Sequence, residues 1–202
     1  QSVQGMESMF DSCSNLEEVD LNSFNTENAI AMNHMFYGCK NLKRINGLSQ
    51  FNTGKVINMK SMFYECSDLV SLDLNSFKTS HVKDMSYMFY QCKKLKEING
   101  LNQFNTGKVE DMRSMFYECS NLDSLDLNLF KTSNVTSMSG MFFGCVELKK
   151  INGLSQFNTG KVEDIQSMFD NCPSLESLDL NFDTSNVKGM NYMFHACKNL
   201  KK

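Results

Sequence analysis

A chain of 202 residues that is 41% hydrophobic has ample apolar material for a core, and its 20 basic against 23 acidic side chains leave a net charge of only -3. That balance lacks the basic footprint a phosphate backbone requires, so nucleic acid is not expected as a partner. No apolar run approaches the roughly 20 residues that span a bilayer, so no membrane insertion by this segment is expected, and Gln1 to Met6 carry no signal sequence.

One Pro and no Trp beside 15 Met, 16 Phe and 8 Cys is an unusual mixture, and a repeat accounts for it. Cysteines recur at 13, 39, 66, 92, 119, 145, 172 and 197, at intervals of 25 to 27 residues, the period of a solenoid. Met-Phe precedes each one by four and three residues, from Met9-Phe10 to Met193-Phe194, and a leucine follows three residues later, from Leu16 to Leu200. The sequence enters inside a return segment, then alternates strand and return, and stops just after Leu200, where a new strand is due. The strand is the L-x-x-L-x-L segment, as in Leu122 to Leu127, whose last part alternates apolar and polar residues. The return runs from a column valine to the cysteine, as in Val109 to Cys119; its apolar residues lie three or four apart, which predicts a short helix or successive helical turns. One such unit cannot cover its own apolar face, so seven to eight of them must stack.

A super-repeat of 53 residues overlies the coils. Leu-Asp-Leu in one coil (72–74, 125–127, 178–180) becomes Ile-Asn-Gly-Leu in the next (45–48, 98–101, 151–154). The extra residue beside Gly47, Gly100 or Gly153 predicts a bulge at the strand exit, where glycine takes a conformation other residues avoid.

These signatures, Cys-x-x-Leu-x-x-Leu-Asp-Leu and Val-x-x-Met-x-x-Met-Phe, resemble the BspA-like leucine-rich-repeat surface proteins of bacteria, in a variant with Met-Phe-x-x-Cys in every repeat. The resemblance covers the whole chain and implies an α/β leucine-rich-repeat solenoid, 1–202 as a single domain. It further implies an extracellular array, secreted or at the cell surface, that serves adhesion to a protein or glycan, host matrix included. No unit departs from the pattern to install a nucleophile, an acid-base pair or a metal site, so no enzyme activity and no cofactor are expected. The alternative role is an architectural spacer or stalk displaying another domain. The ends show no polar cap, so the chain is expected to be a fragment of a longer array, or one whose ends associate end to end.

Each chemistry-bearing column has a plain structural reading. The cysteines share one apolar column, which predicts a ladder of free, buried thiols rather than four disulfides. His34, His81 and His195 occupy three different columns and form no zinc-type cluster. The threonines (Thr26, Thr53, Thr79, Thr106, Thr132, Thr159, Thr184) are expected to cap the turn before the helical segment. On the strand face, charge alternates from coil to coil: Glu17 and Glu18 against Lys43 and Arg44, Lys96 against Asp123, Lys149 and Lys150 against Glu176. Cross-strand pairing is the main role expected there, on a polar concave face that also suits ligand recognition, with Arg44, Asp73 and Asp126 as candidate contacts.

The most informative column lies two residues before each cysteine: Asp11, Tyr37, Tyr64, Tyr90, Tyr117, Phe143, Asp170 and His195. A pure packing column would continue to both ends. Five aromatics confined to the central coils, off the apolar stripe, point to an exposed recognition surface made of Tyr37, Tyr64, Tyr90, Tyr117 and Phe143. The column assignment is open to test. Met115→Asp should destabilise the array by several kcal/mol, because it buries a charge with no partner. Glu110→Ala, in a gap of the pattern, should shift stability by no more than about 0.5 kcal/mol. Equal melting temperatures for the two variants would show that the columns are wrongly assigned.

Overall fold

The computed structural model describes residues 3–201. Six three-residue strands occupy the L-x-x-L-x-L segments: β1 Glu18–Asp20, β2 Arg44–Asn46, β3 Ser71–Asp73, β4 Glu97–Asn99, β5 Ser124–Asp126 and β6 Lys150–Asn152. All pairing is parallel, as a return that brings each strand back in the same direction requires, but it is two by two: β1 with β2, β3 with β4, β5 with β6. The 53-residue super-repeat sets this alternation. After β2, β4 and β6, Gly47, Gly100 and Gly153 turn left-handed (φ 90°, 86° and 96°) and lead into one-turn 3-10 helices, η1 Leu48–Gln50, η2 Leu101–Gln103 and η3 Leu154–Gln156. A Cβ at Gly47 would lie 2.6 Å from the Asn22 backbone nitrogen, so the longer coil crosses hard against the one before it. The extra residue thus forms a 3-10 turn rather than the expected bulge.

The return departs from expectation more strongly. Among the described residues there is no α-helix. A single bridge position in each coil links all eight in one parallel ladder: Gly5, Ala31, Asn58, Asp84, Asp111, Ser137, Asp164, Gly189. Beyond it, backbone donors alternate between two uses. Met32, His34, Phe36 and Gly38 give their N–H groups to the next coil, while Met35, Tyr37 and Cys39 close turns within their own. Closing those turns places the fifth and first residues before every cysteine at positive φ, for example His34 and Gly38, Ser61 and Glu65, Ser114 and Glu118; only Gly38, Gly140 and Gly144 fill such positions with glycine. A positive φ at the third residue is the requirement of a type II turn. A helix could not serve here. Helices pack about 8–10 Å apart, whereas bridged strands repeat at about 4.8 Å.

The apolar columns pack as the repeat dictates. Phe10, Phe36, Phe63, Phe89, Phe116, Phe142, Phe169 and Phe194 stack ring on ring at 5.3–5.8 Å between centroids, beside Met, Val and Leu columns that are buried through the central coils and open at the ends. Each thiol after the first donates to the phenylalanine carbonyl of the preceding coil, as in Cys66 Sγ to Phe36 O at 3.2 Å and Cys172 Sγ to Phe142 O at 2.9 Å. That carbonyl also accepts the cysteine N–H of its own coil. All eight cysteines are free, six of them buried. Burial pushes the Cys39 and Cys172 thiols up to about 12 and drives Cys66, Cys119 and Cys145 well above the ordinary thiol range.

The threonines correct their expected role as caps. Each buried hydroxyl reaches forward to the backbone of the next coil: Thr53 Oγ1 donates to the Lys78 carbonyl at 3.1 Å and accepts the Lys78 N–H at 2.7 Å, and Thr106 does the same with Lys131. A hydroxyl can donate and accept at once, which is what an inter-coil bridge between two backbone groups demands.

Two outcomes follow from this packing. At pH 8 a thiol reagent should label Cys13, which is exposed, and slowly Cys197, which is half-buried, with all eight reacting only after denaturation without reductant; rapid native labelling of more than three thiols, or a disulfide found by mass spectrometry, would contradict the ladder. Ser61, buried at φ 54°, carries backbone strain that glycine relieves, so Ser61→Gly should stabilise the chain by about 0.5–1 kcal/mol and Ser61→Val should destabilise it by about 2 kcal/mol. Thermal melts that move both variants down by the same amount would exclude the left-handed turn.

Candidate binding surface

The return ladder fixes where the aromatic column points. Tyr37, Tyr64, Tyr90, Tyr117 and Phe143 each follow a core phenylalanine by one residue, so they leave the coil on the far side of the backbone. With coils held in register, their rings stack face to face: 4.4 Å from Tyr37 to Tyr64, 4.4 Å to Tyr90, 4.5 Å to Tyr117 and 4.4 Å to Phe143, within 13° of parallel at each step. All five are half-buried. Their faces are taken by one another, and what meets solvent is a ribbon of ring edges. Burial, reinforced by neighbouring hydroxyls and carboxylates, raises the Tyr64 and Tyr90 phenols and lifts Tyr117 to about 12, so these three rings stay uncharged at neutral pH. Tyr87 leans on both Tyr64 and Tyr90, and His34 meets Tyr37 edge-on at 5.5 Å.

Below Phe143 the column changes chemistry. Asp170, with 9% of its surface exposed, accepts from Ser167 Oγ at 3.3 Å through Oδ2 and bonds His195 Nδ1 at 2.8 Å through Oδ1. Serine, aspartate and histidine are together here, but the carboxylate stands between the other two. A nucleophile needs its hydroxyl on the imidazole, and that contact is missing. Among the described residues no group of three or more His, Cys, Asp or Glu is placed to hold a metal ion, and no helix is long and apolar enough to cross a membrane.

The strand-face candidates lie apart from the ribbon, with no hydrogen bond or ion pair joining the two columns among the described residues. Arg44 Nη2 pairs with Glu18 at 2.7 Å, and Lys43 with Glu17 at 2.9 Å, as the sequence leads one to expect. Both pairs are exposed and contribute little. The expected contacts of Lys96 with Asp123, and of Lys149 and Lys150 with Glu176, are not among the ion pairs formed by the described residues. The reason is the two-by-two pairing: those partners face each other across the unpaired steps after β4 and β6. Asp73 and Asp126 each accept from an asparagine two residues on, Asn75 Nδ2 at 2.8 Å and Asn128 Nδ2 at 2.7 Å.

One feature of the surface has no counterpart among the expectations. Past the strand exits of β3 and β5, two open hollows of about 440 and 430 Å³ recur at a 53-residue interval, each with a lysine on its rim, Lys78 and Lys131. The signal was present in the residue before each column threonine, which reads Asn25, Asn52, Lys78, Asn105, Lys131, Asn158, Asp183.

No curated protein matches the chain. Among solved structures it is similar to a leucine-rich repeat protein from Eubacterium ventriosum, at 20% identity and a TM-score of 0.59 over 92% of this chain and 44% of that one, so it spans less than half the length of that protein. It is also similar to the leucine-rich repeat protein of T. pallidum (19% identity, TM-score 0.47, 86% of this chain and 72% of that one) and to a leucine rich cell surface protein from Faecalibacterium prausnitzii (16% identity, TM-score 0.45, 92% and 42%). The first of these similarities establishes the fold as the leucine-rich repeat that the Cys, Leu and Met-Phe columns resemble. Residues 2–102 and 95–202 each match one family, and the chain belongs to it: the family described as Mycoplasma protein of unknown function, DUF285.

Proposed function

We propose that the chain is a non-enzymatic binding module, secreted or held at a cell surface, that recognises a protein or glycan through its outward columns. The observation that carries this reading is the contrast between inner and outer side chains. Cysteine and threonine, the residues with reactive potential, are absorbed in hydrogen bonds between coils from Cys39 to Cys197 and from Thr26 to Thr159. The column that changes along the chain faces outward, as a five-ring ribbon confined to the middle. The similarity in fold to a bacterial leucine-rich repeat protein supports the same reading. Tyr37, Tyr64, Tyr90, Tyr117 and Phe143 form the main contact in this proposal, and Arg44, Asp73 and Asp126 contribute from the strand face. An architectural spacer is the second reading, favoured by the fact that the ring faces are consumed in stacking.

The two readings separate on a pair of triple variants, tested against panels of immobilised extracellular matrix proteins and glycans. Replacing Tyr64, Tyr90 and Tyr117 by Phe preserves the stack and removes the hydroxyls; binding should weaken about tenfold while the melting temperature holds. Replacing the same three by Ser should abolish binding, a loss of a few kcal/mol. If the Phe variant binds like the parent, and the Ser variant melts early while its folded fraction also binds normally, the ribbon is a structural stack and the spacer reading stands.

A further inference from the structure

We propose a second site, separate from the aromatic ribbon: the two hollows past the strand exits hold successive disaccharides of a linear polysaccharide that carries one carboxylate per disaccharide. The hollows are related by the super-repeat. One is formed by residues 75–80 with Gln103 and Asn105 of the following coil, the other by residues 128–133 with Gln156 and Asn158. Their volumes, about 440 and 430 Å³, lie in the range of small-ligand sites.

Their linings share one chemistry. Each has amide and hydroxyl side chains over a nearly buried phenylalanine, Phe77 or Phe130, with a single lysine and no carboxylate; they differ at one position, where Ser76 of the first is the exposed Leu129 of the second. Lys78 and Lys131 form no ion pair among those of the described residues. Each lysine stem passes the preceding coil's glycine, with Cδ 3.9 Å from where a Cβ on Gly54 would sit and 3.7 Å from one on Gly107. The ammonium groups are therefore carried by backbone that the threonine bridges already fix, Thr53 to Lys78 and Thr106 to Lys131. Amides prepare the rest of the rim. Gln103 Nε2 donates to Asn75 Oδ1 at 3.2 Å, and Asn75 Nδ2 in turn donates to Asp73 Oδ1, which fixes both amides at the rim of the first hollow.

Spacing selects the ligand. Two coils advance about 9–10 Å at the strand repeat, which is close to the length of one disaccharide in an extended polysaccharide. A polymer that alternates a uronate with an uncharged N-acetylhexosamine would set each carboxylate on a lysine and each uncharged sugar against the amides. The corresponding positions in the outer coils are Asn25 and Asp183, so the cationic rim occurs at two successive stations and the shortest ligand filling both is a tetrasaccharide. Occupying both stations with one chain makes the second contact intramolecular, and affinity should step up between disaccharide and tetrasaccharide.

Titration calorimetry with hyaluronan di-, tetra- and hexasaccharides, at low and physiological salt, tests this on the intact chain. The tetrasaccharide should bind at least tenfold more tightly than the disaccharide, with little further gain for the hexasaccharide. Lys78→Gln and Lys131→Gln should each lower tetrasaccharide affinity about tenfold, with an unchanged melting temperature. Lys55→Gln with Lys161→Gln, whose ammonium groups bond Asn28 and Asn134 instead, should change nothing. Neutral chitotetraose should bind no better than the hyaluronan disaccharide. The proposal falls if the folded chain shows no saturable tetrasaccharide binding, if chitotetraose binds equally well, or if the control lysines weaken binding as much as Lys78 and Lys131. None of these outcomes bears on the aromatic ribbon, which is probed with other variants.

Discussion

The spacing between coils governs this molecule. Parallel bridges at one position in every coil hold the return segments at strand distance, and the short strands do the same on the opposite side for alternate steps. An N–H that closes a turn cannot also reach the next coil, so the backbone divides its donors, one to its own coil and the next to its neighbour. The left-handed residues follow from that division, since a chain that must turn every few residues while aiming alternate donors along the stack has to pass through positive φ. The strain at serine, glutamate and tyrosine in those positions recurs along the stack, except in the coil where Gly140 and Gly144 fill both, and is offset by the buried interior.

The same spacing gives the side-chain ladders their direction. Threonine hydroxyls bond forward to the following coil, and cysteine thiols bond back to the preceding one, so each coil is tied by different chemistry on its two sides. Both side chains are small polar groups in a dry interior, and both find partners in backbone groups the turns leave available. Among the described residues no deeply buried side-chain nitrogen or oxygen lacks a hydrogen bond. Aromatic rings at about 4.4 to 5.8 Å are the apolar counterpart, possible because the coil repeat lies near the thickness of stacked rings.

Much of this was legible in the sequence, because identical columns leave little freedom in how coils stack. The cysteine, methionine and phenylalanine columns fall in the core, and the aromatic column two residues before cysteine is a continuous half-buried ribbon. The sequence does not separate a helical return from the observed run of turns, for a definite reason. Met32, Met35, Phe36 and Cys39 stand at i, i+3, i+4 and i+7, the stripe of an amphipathic helix, and consecutive turns with left-handed residues produce the same inward set. A signal against the helix was available in the phenylalanine present in every return, since eight stacked rings leave no room for helices side by side. The super-repeat was visible too, but that Gly47, Gly100 and Gly153 would interrupt strand pairing depends on their contact with the preceding coil, which no local pattern reveals. Lys78 and Lys131 do not stand out in the sequence because a lysine in a loop is ordinarily a solvated charge; only the recurrence of the surrounding hollow sets them apart.

The missing return helix has a consequence for growth of such arrays. In a leucine-rich repeat whose returns are helices, the bulkier outer side spreads the coils and bends the stack into a horseshoe, so adding repeats changes the angle between distant faces. Here no wedge separates the returns, and each 53-residue block advances the stack by about 9–10 Å at the strand repeat. Lengthening by duplication of that block therefore adds new stations at a fixed interval, and reach can evolve by copy number alone.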